Sequence, residues 1–153
     1  MATVRVQKAD FDPGAEAEAL AGGRTDVGAV VSFVGYCRDE GGGIAALELE
    51  HYPGMAEDEI ARAAAEAEAR WPLLGATVIH RYGPIAPGQG IVLVAVAAEH
   101  RGAAFAAAEM LMDYLKTRAP FWKRAIRSDG VVEGWIESKW EDDRSAARWS
   151  AAD

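Results

Sequence analysis

The sequence predicts an α+β fold in a single domain, and three observations carry that reading. Strand-like and helix-like stretches follow one another irregularly rather than as a βαβ repeat, so helices and strands are expected to segregate. Two long stretches, 54–70 and 102–118, carry the apolar spacing of one helical face. Asp129-Gly130 stands between two β-rich runs, which is a strong hairpin signal. At 153 residues the length suits one domain, which buries roughly 70% of its unfolded surface. We read residues 1–140 as that domain and residues 141–153 as a polar tail.

Thr3 to Val6 alternates as an edge strand, and Ala15 to Ala21 reads as a short alanine-rich helix ended by Gly22-Gly23. Val27 to Tyr36 is rich in β-branched and aromatic residues and reads as a buried strand. The glycine-rich Asp39–Gly43 segment is a loop, and Ile44 to Tyr52 alternates as the next strand. Pro53-Gly54 opens a helix to about Arg70, with Ile60, Ala63, Ala64, Ala67 and Trp71 on one face. Glu57, Asp58 and Glu59 suit its positive end and Arg70 its negative end. Asp58 with Arg62, and Glu66 with Arg70, are spaced as i,i+4 pairs.

Ala76–Tyr82 and Ile91–Ala98 are two further strands, joined by a loop from Gly83-Pro84 to Gly90. A second long helix runs from about Gly102 to Arg118, with Phe105, Ala108, Met112 and Leu115 expected inward. Pro120 stops it, because proline lacks an N–H and restricts the residue before it. Phe121–Arg127 and Val131–Ile136 form the expected hairpin. From Glu137 onward the sequence is polar, with a weak helical pattern and no functional signal.

Charge excludes some functions. A net charge of −8 disfavours a general nucleic-acid or membrane-surface binder, because phosphate arrays reward positive charge. No apolar run approaches the roughly 18 residues of a membrane span, and Met1–Asp10 lacks the apolar core of a signal peptide. A single cysteine, Cys37, excludes an intrachain disulfide framework and suits a reducing, cytoplasmic setting. Three scattered histidines give no zinc-site spacing, so no metal and no cofactor are expected.

Against that acidic background, Lys116 to Arg127 holds five basic residues with no acidic one, leaving the rest of the chain at −13. Clustered like charges raise the energy of a fold unless an anion neutralises them, so this stretch reads as the lining of an anion site. Lys116 ends a helix and Lys123 follows Pro120, so the turn between them can aim both ammonium groups into one cleft. Lysine suits proton-transfer work because burial and nearby cations lower its pKa. The plainer reading of Lys116 is a dipole-complementing residue with Asp113 as an exposed partner.

Period-2 geometry puts Lys123, Ala125 and Arg127 on one face of the following strand. Trp122 and Ile126, on the other face, are expected in the core, with Arg124 either paired there or turned out by a bulge. His100-Arg101-Gly102 closes a strand and opens a helix; it is either an anion site at a helix start or a surface arginine with a capping glycine. His80-Arg81 lies within a strand and reads as structural. Arg38 is a phosphate ligand or the counter-charge to Asp39-Glu40. If Arg38 faces the site, strand alternation turns Cys37 away from it as a small buried hydrophobe.

Four blocks in order are similar to a known family: Glu50-His51-Tyr52-Pro53-Gly54-Met55, Val78-Ile79-His80-Arg81, Glu99-His100-Arg101, and Met112 through Arg124. The chain, from about Gly28 to Trp140, resembles the MoaE family, the large catalytic subunits of molybdopterin synthases. That resemblance implies an α/β-hammerhead fold with additional antiparallel strands. It also implies a homodimer of large subunits within a heterotetramer, with a small ubiquitin-like sulfur-carrier subunit at each end. The implied reaction installs two dithiolene sulfurs on cyclic pyranopterin monophosphate, each from a C-terminal Gly-Gly thiocarboxylate of the carrier.

By the same resemblance, pocket residues fall on Arg38, His100, Arg101, Lys116, Lys123 and Arg124, with neighbouring contacts at Tyr36, Cys37 and Ala125. Lys116 and Lys123 are the implied catalytic pair. Tyr36 departs from the pattern, since relatives can carry a basic residue there. The sequence ends Ala151-Ala152-Asp153 rather than in paired glycines, so the sulfur carrier is expected to be a separate chain. The competing readings are a non-catalytic anion or peptide-tail binding module, and a single-strand binder stacking bases on Phe121 and Trp122.

Overall fold

A computed structural model describes residues 2–136 and 146–149. In chain order the elements are β1 (Ala2–Gln7), α1 (Pro13–Ala21), β2 (Ala29–Tyr36), β3 (Ile44–His51) and α2 (Met55–Arg70). There follow β4 (Leu73–Arg81), β5 (Gly83–Ile85), β6 (Gly90–Ala98), α3 (Arg101–Thr117) and β7 (Phe121–Arg127). Strands β1-β4-β6-β2 form one sheet, in which only β1 and β4 run parallel. Strands β5-β3-β7 form a second, antiparallel sheet. Helices and strands therefore combine as α+β, as the irregular order predicts.

The central strand β6 explains the layering. Its Val92, Val94 and Val96 enter a core with Ile60, Ala63, Ala64 and Ala67 of α2 and with Ala107, Leu111, Tyr114 and Leu115 of α3. Its Leu93 and Ala95 point the other way, to Ile79, with Phe11 and Leu20 packed over them. Both faces are covered, so β6 reads as an unbroken apolar run rather than an alternating one. Alanines dominate where α2 and α3 meet the sheet, and their small side chains let backbones approach closely. Full burial of Leu111 alone contributes roughly 1.5–3 kcal/mol relative to exposure.

Local signals set the helix ends. The Asp12 carboxylate accepts from the Ala15 N–H at 3.1 Å, with Pro13 in the first turn, so α1 starts two residues before the alanine run. For α2, the Gly54 N–H donates to the Glu57 carboxylate at 3.0 Å, and Gly54 takes a φ of 88° that glycine adopts without strain. The two i,i+4 pairs do not form. Arg62 pairs instead with Glu59, and Glu66 reaches across to Arg118 at 2.7 Å, which ties α2 to the end of α3.

Several expectations are corrected by tertiary packing. β2 lies at a sheet edge with Phe33 exposed, not buried, because β6 takes the central place. Ala108 and Leu115 of α3 are inward as predicted, but Phe105 is 60% exposed and Met112 only half-buried; Ala104, Ala107, Met110, Leu111 and Tyr114 complete the buried face. The 83–85 loop is a short strand on β3. Trp122 and Ile126 are half-buried on the outer face of β7, outside the core. Gly130, at φ 90°, makes the predicted turn, but 131–136 returns along β7 with only two bridges, Ile126 to Val132 and Lys123 to Ile136.

The sequence beyond Glu137 carries more than its polarity suggests. Residues 137–145 and 150–153 lie outside the described residues, yet 146–149 form a helical turn with Ala146 in the main core. The Trp149 indole meets Trp71 edge-on at 5.9 Å and donates to Asp113 at 2.5 Å. Arg148 bridges Glu109 and Asp113 at 2.6 and 2.8 Å. Asp113 is thus engaged by the C-terminal turn and largely covered rather than exposed.

Candidate active site

The C-terminal end of α3 and the segment after β2 meet β3 and β7 of the three-stranded sheet around a cavity of about 500 Å³. Helix α3 stops at Thr117 ahead of Pro120, which turns the chain and starts β7 at Phe121. That turn brings Lys116, from the last helical turn, and Lys123, from the strand, into one cavity. Period 2 along β7 then adds Ala125 and Arg127 to the same wall. Register pairs Lys123 with Leu49 and Ala125 with Leu47, so apolar β3 side chains line the wall beside the cations.

The segment after β2 supplies Tyr36, Cys37, Arg38 and Glu40. Cys37 and Arg38 both line the cavity, against the expectation that they diverge. Strand alternation does not reach them: β2 ends at Tyr36, where the pairing with β6 also shifts register. Cys37 is 3% exposed, and burial pushes its thiol pKa up, which keeps it protonated and disfavours a thiolate role.

Four cations and two carboxylates, Glu40 and Glu133, line the cavity. Arg38 pairs with Glu40 at 2.8 Å on an exposed rim, and Arg127 with Glu133 at 3.4 Å. Lys123 has no carboxylate partner among the described residues. The cavity therefore keeps a positive excess for an incoming anion. No group of three or more His, Cys, Asp or Glu among the described residues is arranged to hold a metal.

The remaining predicted residues sit elsewhere in this chain. Arg124 faces away, with its guanidinium 2.5 Å from the Glu48 carboxylate and stacked over Trp135 at 4.2 Å. His100 and Arg101 are exposed at the start of α3. At about 1.5 Å rise per residue, the helix puts Arg101 roughly 22 Å from Lys116.

Arg127, read from sequence as part of the basic stretch and of the Lys123 face, lines the cavity as that reading implies. His80, whose place inside a strand reads as structural, lines it too. It is 7% exposed, lies on the cavity wall, and stacks on Phe121 at 3.7 Å between ring centres. Burial, with smaller contributions from the Lys116 and His51 charges, pushes its pKa down to about 4, against an opposing hydrogen bond to the Arg81 carbonyl.

Acid stability should report this histidine. Between about pH 6.5 and about pH 4 the unfolded chain binds a proton at His80 that the folded chain refuses. Stability is therefore expected to fall as pH drops through that window, by an amount on the order of 3 kcal/mol from this group. Denaturant melts at steps from pH 7 to 4 check it: His80→Phe should flatten the slope.

The family model described as MoaE protein matches residues 6–118, more than half of the chain. The chain belongs to the MoaE family. A molybdopterin synthase catalytic subunit of Mesorhizobium japonicum is 63% identical over 150 residues, covering 98% of this chain and 94% of that protein. The solved structure of a molybdopterin biosynthesis MoaE protein from Burkholderia ambifaria superposes with a TM-score of 0.84 at 48% identity, covering 99% of each chain. A molybdopterin synthase structure from Staphylococcus aureus superposes at 0.76 with 30% identity, covering 86% of this chain and 95% of that one. These relatives extend past residue 118, so the likeness includes the MoaE segment that carries Lys123.

Proposed function

We propose that this chain is the catalytic subunit of a molybdopterin synthase, acting as a sulfurtransferase on cyclic pyranopterin monophosphate in the cytoplasm. The observation that carries the reading is the meeting of Lys116 and Lys123, from different elements, in one cavity with a positive excess. Both visitors are anionic: the substrate through its phosphate, and the small carrier subunit through its C-terminal thiocarboxylate. Arginine suits the phosphate, because its planar fork of donors matches the oxygens.

The nucleophile arrives with the carrier, which fits a cavity whose one cysteine is buried and held as a thiol. Attack by the thiocarboxylate sulfur on a side-chain carbon of the pterin forms a carbon–sulfur bond as a carbon–oxygen bond at that carbon breaks, the departing oxygen taking a proton, and leaves an acyl thioester. Water then cleaves the acyl–sulfur bond, so the sulfur stays on the pterin and the carrier departs as a carboxylate. Lys116 gives and takes the protons these steps require and clamps the carrier's end; Lys123 assists and binds substrate. His100 and Arg101 lie too far along α3 to serve the same substrate molecule within one chain. They can serve it from a second copy, which a homodimer of large subunits within a heterotetramer provides.

Reconstitution tests the reading. Purified chain, thiocarboxylated small subunit and cyclic pyranopterin monophosphate should yield the dithiolene product, with carboxylate-terminated carrier released. Binding of both components without any dithiolene would leave only an anion or peptide-tail receptor.

A further inference from the structure

The cavity contains an imidazole that the proposed chemistry leaves idle. His80 sits on β4 with two of its sides accounted for. Its Nδ1 lies 2.8 Å from the Arg81 carbonyl oxygen, an acceptor only, so Nδ1 carries the proton and donates. Its face lies against Phe121, with 14° between the ring planes. Nε2 is then an unprotonated acceptor. It makes no hydrogen bond with a described residue, yet it is not among the buried polar atoms sealed off without a partner. Because His80 lines the cavity, that lone pair opens into it.

We propose that His80 is the positioning residue for Lys116: in the occupied cavity its Nε2 lone pair accepts a hydrogen bond from the Lys116 ammonium. With the Glu40 and Glu133 carboxylates of the cavity paired to Arg38 and Arg127, this fixed neutral acceptor gives that long side chain a preferred direction, toward β4. Other groups facing the ring are consistent with this role. Lys116 from α3 and His51 from β3 both oppose a proton on it, Phe121 offers no charge, and Lys123 of β7 adds a cation to the same cavity. The ring therefore stays neutral, and a neutral imidazole can accept where an imidazolium would repel. The inference rests on the sulfur-transfer reading only for what Lys116 does next, not for the contact itself.

Two measurements test it. In reconstituted turnover, His80→Phe keeps the ring stack but removes the acceptor, and His80→Gln restores an acceptor near the Nε2 position. His80→Phe should lower the single-turnover rate on the order of tenfold to a hundredfold. It should also move the alkaline limb of the pH profile to lower pH, because the ammonium loses an acceptor that favours its charged form. His80→Gln should recover both. A lower rate with an unmoved limb means that His80 is only packing, and overturns the proposal.

The second measurement needs no turnover and no His80 variant. With the small-subunit tail bound, the imidazole ¹⁵N spectrum should show unprotonated Nε2, with a resonance that shifts in Lys116→Ala. An Nε2 signal indifferent to Lys116→Ala also overturns the proposal, whatever the enzyme does. If sulfur transfer fails outright while that shift is present, the contact stands and only the assigned reaction falls.

Discussion

Lys116→Ala is expected to abolish dithiolene formation while the protein stays folded. Lys116 is exposed in the last turn of α3, so its truncation removes little packing and should leave the melting temperature within a few degrees of wild type. Its ammonium, by contrast, shares the cavity with Lys123 and is the group assigned to proton transfer, an effect worth roughly 10²–10⁴ in rate. Single-turnover assays with thiocarboxylated carrier measure it, beside a thermal melt. Lys116→Arg separates two roles: a guanidinium keeps the charge that clamps an anion but does not give up its proton. Binding retained with turnover lost in that variant assigns Lys116 to proton transfer. Near-normal turnover in Lys116→Ala removes it from the mechanism.

Gly28→Ala should be the most damaging small change to the fold. A Cβ on Gly28 would stand 2.0 Å from the Glu99 carbonyl oxygen, and backbone there cannot swing aside as a side chain tip can. The same glycine donates to the Ala98 carbonyl at 3.0 Å, so moving it also disturbs the start of the β2–β6 ladder. Relief of such a clash costs about 3 kcal/mol or more, at the upper end of overpacking effects. For a chain of this size that corresponds to a melting temperature lower by roughly 6–12 °C. Calorimetry reads it directly, and an unchanged melting temperature would mean that the 28–99 approach is looser than described.

What could be read from sequence follows a physical division. Lys116, Lys123 and Ala125 are brought into the cavity by local rules alone: a proline stops a helix, and a strand alternates. Arg124 was also legible as an alternative, since the same alternation sets it opposite Lys123, where Glu48 and Trp135 hold it. His80 and the turn at 146–149 were not legible, because their partners lie far along the chain: Phe121 for one, Trp71 and Asp113 for the other. Cys37 failed for a different reason, the strand ending one residue before it. Phe105 is the larger apolar side chain, yet α3 buries its alanines, whose small size lets the helix lie close to the sheet.

An interior assembled from alanine and valine between α2, α3 and β6 has an asymmetric tolerance. Trimming such side chains removes few atoms, while lengthening one drives a helix off the sheet. Because α3 is also the arm that delivers Lys116, an enlargement at Ala107 or Ala108 would displace the ammonium without touching the cavity at all. Catalytic geometry in this molecule is therefore gauged by the thickness of its smallest residues.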